Sequence, residues 1–198
     1  LNRAIRAIGK NPIISSDPEI ILKADRLILP GVGAFPVAMK NLETKNLIES
    51  IIDFVSFGKP LLGICLGMQL LLSESKENIQ TTGLDLIPGK VEKLFEQHKN
   101  PMVKLPHFGW NSLSRKQTTD STWENTVFDG LEENSETYFV HSYACCPDNT
   151  QSSLSTTVYG GQRFCSAVQK DNIMGCQFHP ELSGPIGLII LNNFFEKF

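Results

Sequence analysis

The segment Pro60-Leu61-Leu62-Gly63-Ile64-Cys65-Leu66-Gly67-Met68-Gln69 constrains the fold more than any other part of the chain. Leu61 to Ile64 suits a buried strand and Leu66 to Leu72 an apolar helix, with Gly-x-Cys-x-Gly at the join. This is the pattern of a nucleophile elbow with cysteine in the serine's place. Two glycines let the backbone turn sharply, so Cys65 is expected at a strained tip where a helix begins. The positive end of the helix dipole favours a thiolate there. A strand that feeds a helix in this way belongs to a sheet covered by helices, which makes α/β the expected class.

In the first half, Leu1 to Ile8 reads as an amphipathic helix, Pro12 to Ser15 as a strand, and Arg26 to Leu29 as a buried strand ending at Pro30-Gly31. Ala34 to Met39 and Leu47 to Phe57 read as helices, the second closed by Gly58-Lys59-Pro60. The second half predicts short strands at Lys90 to Phe95, Val103 to Leu105, Thr137 to Ala144, Leu154 to Tyr159, Phe164 to Gln169 and Ile173 to Phe178. Turn residues separate them, which favours antiparallel pairing. Ile186, Ile189, Ile190, Phe194 and Phe195 recur at helical spacing, so Gly184 to Phe198 is expected to be a closing helix. The polar tract Lys116 to Asn125 reads as a surface loop. The expected architecture is therefore a mixed, mostly parallel sheet flanked by helices, with additional antiparallel strands. A right-handed βαβ crossover needs a strand before its helix, so a first strand is expected to be missing from a sequence that opens in the helix.

At 198 residues and 41% hydrophobic, the chain fits a single domain over residues 1–198, and neither a linker nor an internal repeat divides it. A net charge of -3 without a Lys/Arg run argues against nucleic acid as a partner. No apolar run nears the roughly 20 residues that span a bilayer, and the opening residues lack a signal-peptide layout. No membrane association and a cytoplasmic location are expected. Five cysteines, at 65, 145, 146, 165 and 176, lack C-x-x-C or His/Cys spacing, which disfavours a disulfide framework and a metal site. Cys145, Cys146, Cys165 and Cys176 read as small buried hydrophobes.

A cysteine nucleophile needs a base and a group that orients it, and the two meet it in space rather than in sequence. Gln177-Phe178-His179-Pro180-Glu181 supplies both. His179 follows a strand, where α/β folds carry functional groups, and Pro180 stiffens the turn to Glu181, which can set the imidazole tautomer. Cys65, His179 and Glu181 are the expected catalytic residues.

These two segments resemble the triad-type, class I glutamine amidotransferases. Leu29-Pro30-Gly31-Val32-Gly33-Ala34-Phe35, Leu105-Pro106-His107-Phe108-Gly109-Trp110-Asn111 and Tyr138-Phe139-Val140-His141-Ser142-Tyr143 extend the likeness to the glutaminase subunits of imidazole glycerol phosphate synthase. The resemblance covers essentially the whole chain and implies the class I glutamine amidotransferase fold. It implies hydrolysis of L-glutamine to glutamate and ammonia, without a cofactor. The ammonia would pass to a (β/α)₈ cyclase/synthase subunit, held 1:1 as a heterodimer, for imidazole glycerol phosphate and AICAR formation in histidine biosynthesis.

The same resemblance implies an oxyanion hole at Leu66, Val32 and Gly33, and glutamine contacts at Gly31, Gly33, Gln69, His141, Ser142 and Tyr143. His107 and Trp110 read as packing or interface, and His98 as a solvated histidine. Two departures stand out: the Asp-Tyr-Gly-x-Gly-Asn opening of the family is absent, and Leu182-Ser183 stands where Lys-Ser is usual. They keep open a paralogous glutaminase that supplies ammonia for sugar amidination in surface-polysaccharide synthesis. A stand-alone cysteine hydrolase and a degenerate binding module are the remaining classes. Gln69 and the Pro-Gly-Val-Gly loop argue against the hydrolase, and the intact triad against the binding module.

Overall fold

A computed structural model describes residues 1–95, 103–115 and 122–198. Six α-helices lie among the described residues: α1 (Asn2–Ala7), α2 (Pro18–Lys23), α3 (Phe35–Thr44), α4 (Leu47–Ser56), α5 (Leu66–Leu70) and α6 (Gly184–Lys197). The strands of the first half are β1 (Leu27–Gly31), β2 (Leu61–Cys65), β3 (Leu72–Ser75), β4 (Thr81–Thr82) and β5 (Ile87–Lys93). Those of the second are β6 (His107–Ser112), β7 (Ser114–Arg115), β8 (Glu136–His141), β9 (Tyr143–Pro147), β10 (Ser153–Tyr159), β11 (Gln162–Lys170) and β12 (Ile173–Cys176).

The main sheet runs β1-β2-β12-β11-β9-β5-β3-β4, with β10 beside β11 and β7 beside β10, while β6 and β8 form a separate antiparallel pair. Its mixed character is as expected, but among the described residues parallel pairing is confined to β1-β2, β2-β12 and β3-β5. The other pairings are antiparallel, so the sheet is less parallel than the sequence suggests. Hairpin-like connections in the second half, where turns replace crossover helices, are the cause.

Every residue of β2 is buried, and its side chains alternate between two cores. Leu61 joins Phe54, Ile51, Phe35 and Met68 under α2 to α5, while Leu62 and Ile64 join Phe178, Ile190, Leu191 and Phe194 under α6. Both sheet faces are therefore covered, as parallel strands require. Burying a side chain such as Phe54, which is fully enclosed, contributes on the order of 1.5–3 kcal/mol.

Several expected elements differ. Pro12 to Ser15 is not a strand: no described strand lies alongside to pair with it, and Ile13 and Ile14 are 80% and 81% exposed. β1 is half-buried rather than buried, because among the described residues β2 alone flanks it. Val103 to Leu105 is irregular, and the strand begins at His107. Thr137 to Ala144 is broken at Ser142 into β8 and β9, which join different sheets. α2 was not anticipated although its start is marked: Asp17 accepts from the Glu19 N–H at 2.9 Å, and Pro18 opens the first turn. Cys145, Cys165 and Cys176 are buried as expected, but Cys146 is exposed. His98 and residues 116–121 of the polar tract lie outside the described residues.

Candidate active site

β2 and β12 are parallel neighbours, with Ile64 opposite Cys176. Chain segments that leave their ends therefore emerge together. One delivers Cys65; the other delivers Gln177, Phe178 and His179. Cys65 has φ 55° and ψ −110°, outside the ordinary regions for a residue with a side chain. Such a conformation costs on the order of 1–3 kcal/mol and holds only where its surroundings enforce it.

The surroundings are the two glycines, though not through their own torsions. A Cβ on Gly67 would lie 1.7 Å from Leu29 O, and one on Gly63 2.7 Å from Gly67 O and from Met68 N. Positive φ falls on Cys65 itself, and the glycines serve to let α5 press against β1 and β2. That pressure leaves the cysteine no relaxed alternative.

His179 is buried and donates from Nδ1 to Glu181 Oε1 at 3.0 Å. Its other nitrogen, Nε2, lies on the Cys65 side and is bonded to no nitrogen or oxygen among the described residues. The neighbouring Cys65 sulfur, and then the Glu181 carboxylate, raise the His179 pKa to about 10 against the opposing effect of burial. Both favour the imidazolium. Glu181 itself titrates below the usual range despite its burial, because His179 and the backbone bond to it. Pro180 begins a tight helical turn, Pro180–Leu182, that returns Glu181 to the ring.

A cavity of ≈ 280 Å³ opens at this point, small enough to suit an amino acid. Val32, Gly33, Cys65, Leu66, Gln69, His141, Ser142, Tyr143 and His179 line it. Of the other expected residues, Glu181 stands behind His179, and Gly31 pairs in register with Cys65 at the end of β1. Gly33 has φ 100°, a torsion that favours glycine, and Val32 is 82% exposed at the mouth.

Three contributors escaped sequence reasoning. Gln177 is fully buried; its Nε2 points at Cys65 Sγ from 3.8 Å, and its Oε1 accepts from Gln69 Nε2 at 3.0 Å. It lies inside the His179 motif and could have been singled out there. Val140 O lies 3.9 Å from the Cys65 sulfur, a backbone contact that no residue pattern encodes. Glu77 reaches the cavity wall and accepts from the Phe35 N–H at 2.7 Å. His107 is buried as expected, whereas Phe108 and Trp110 are 68% and 54% exposed and do not pack in the core.

The family model for class-I glutamine amidotransferases matches residues 3–198. Imidazole glycerol phosphate synthase subunit HisH of Sulfurimonas denitrificans is 45% identical over 194 residues, covering 98% of this chain and 90% of that protein. Subunit HisH 1 of Legionella pneumophila (strain Paris) is 44% identical over 195 residues, covering 98% and 91%. Subunit HisH of Geobacter sulfurreducens is 41% identical over 198 residues, covering 99% and 91%. Among solved structures, a glutamine amidotransferase superimposes with a TM-score of 0.71 at 18% identity, covering 98% of this chain and 92% of that one. At that identity the likeness speaks to the fold alone. The chain belongs to the class-I glutamine amidotransferases and, within them, to the family of imidazole glycerol phosphate synthase HisH subunits.

Proposed function

We propose that this chain is the glutaminase subunit of imidazole glycerol phosphate synthase, a single domain acting in the cytoplasm in histidine biosynthesis. The observation that carries the reading is the strained Cys65 facing His179 and Glu181 in a cavity of amino-acid size. Relatives named HisH at 41–45% identity favour the histidine pathway over the sugar-amidination paralogue.

In this reading the Cys65 thiolate attacks the side-chain amide carbon of glutamine, and the carbonyl electron pair moves onto oxygen. The backbone N–H of Leu66, at the start of α5, and the Val32-Gly33 loop serve that oxyanion. His179, already cationic, gives its proton to the departing nitrogen, and ammonia leaves. Water then attacks the γ-glutamyl thioester with neutral His179 as base, glutamate leaves, and the thiolate is regenerated. Gln69, His141, Ser142 and Tyr143 hold the substrate. The balance is glutamine plus water to glutamate plus ammonia.

The relatives are named as subunits of a synthase, and in this reading the ammonia passes to a (β/α)₈ cyclase/synthase partner in a 1:1 heterodimer. Phe108, Trp110 and Leu182, exposed by 68%, 54% and 52%, supply apolar surface beside the His179 turn. Phe108 and Trp110 both contact Tyr138, whose backbone bonds to His179 and Ser183. Exposed apolar surface of this kind marks interfaces. Glutamate release measured with and without the synthase partner and its nucleotide tests the reading. The expected result is weak turnover alone, strong stimulation by the partner, and none in Cys65→Ala. Glutamine-dependent turnover retained by Cys65→Ala would mean that the nucleophile is another group.

A further inference from the structure

His107 and His141 face each other across β6 and β8, and both are buried. The direction of the hydrogen-bond chain through them has one solution. Tyr143 O can only accept, so His141 Nδ1, 2.8 Å away, carries the proton. His141 Nε2 then accepts from His107 Nδ1 at 3.1 Å. His107 Nε2 is left as an acceptor, and Asn111 Nδ2 fills it at 3.2 Å while also donating to Val158 O at 3.0 Å. At the far end, Tyr143 O accepts a second bond, from Gln69 Nε2 at 3.0 Å. Two donors thus converge on one carbonyl in the wall of the active-site cavity.

The plane of His107 is set by stacking, with Phe139 at 4.8 Å on one contact and Tyr159 at 4.0 Å on another. Phe164 and His141 meet the ring edge-on. Protonating either imidazole would set two N–H groups head to head. Burial lowers His107 to about 4, and burial together with His107 and His179 holds His141 down at about 3, in keeping with two neutral rings.

We propose that His107 is a positioning residue for glutamine binding: by donating to His141 Nε2 it holds that ring where its Nδ1–H meets the Tyr143 carbonyl, and so fixes that carbonyl and the Ser142-Tyr143 wall that grips the substrate. The proposal rests on the glutaminase reading of the cavity. It assigns His107 a role through His141, not a contact with substrate.

His107→Phe keeps the stack and removes both ring nitrogens; His107→Asn returns an N–H near the position of Nδ1. Calorimetric titration with glutamine in a Cys65→Ala background should give a Kd about tenfold higher for His107→Phe and within about threefold of the parent for His107→Asn. A role limited to folding would lower the binding stoichiometry of both variants and leave Kd unchanged, which would overturn the proposal. NMR of the histidine ring N–H groups should find the His141 Nδ1–H signal sharp and protected from solvent exchange in the wild type and His107→Asn, and exchange-broadened in His107→Phe. An equally sharp, protected Nδ1–H signal in all three would also overturn it. If the Cys65→Ala parent takes up no glutamine, the glutamine reading of the cavity fails, and the His141 Nδ1–H signals still decide for or against His107.

Discussion

His179 sits between two groups that favour its cation, and the larger influence is the Cys65 sulfur. Replacing Cys65 with alanine removes that influence and leaves Glu181, so the His179 pKa is expected to fall from about 10 toward its ordinary 6.5. A proton NMR titration of the histidine ring in Cys65→Ala checks this; an unchanged midpoint would show that the sulfur does not act on the ring. The sign for stability follows from the same shift. A raised folded pKa contributes stability that is complete below about 6.5 and lost as pH rises through about 10. His107 and His141 act in the opposite sense. Their lowered values mean that the unfolded chain takes up protons first, so stability falls as pH drops from about 6.5 toward about 4 and about 3. Thermal melts over that range should show the loss in the wild type and less of it in the double variant His107→Phe/His141→Phe.

Between β2 and α5, the elbow depends on backbone approaching backbone. Gly67→Ala would place a methyl group 1.7 Å from Leu29 O, where no side chain can rotate away. We expect a loss of about 3 kcal/mol or more in stability, together with loss of glutaminase activity, because Cys65 is released from its strained torsion. Urea denaturation of Gly67→Ala checks the first and glutamate release the second. The apolar runs of β2 and β12 and the helical spacing of α6 were legible because local pattern and burial agree there. The Cys65 and His179 segments were legible for the same reason, since each pairs a strand with a motif. Pro12 to Ser15 failed as a strand because a strand is defined by its neighbour, which no single segment reports. β3 was hidden because Leu72 continues the apolar run of α5, and only pairing with β5 separates the two. Gln69 and His141 are readable as site residues, but their joint hold on the Tyr143 carbonyl depends on how β9 lies beside α5.

For the whole molecule, the apolar surface around Tyr138 and the cavity share the His179 turn, joined where the Tyr138 carbonyl accepts from the His179 N–H. A single exposed tryptophan at the centre of an interface commonly carries about 2 kcal/mol or more of binding. Trp110→Asp is therefore expected to reduce partner-stimulated glutamate release at least tenfold at subsaturating partner, with basal turnover within about twofold; titrating the synthase partner into the assay measures both. The loop that precedes α3 has fixed ends. Gly31 is held in register against Cys65, and Phe35 is tied by its N–H to the Glu77 carboxylate. Only Val32, Gly33 and Ala34 lie between these anchors. A three-residue span clamped at both ends can change the direction of a peptide group without dragging a helix or strand along. On the proposed reading, arrival of the synthase partner is expected to be registered as one small mechanical click beside the nucleophile.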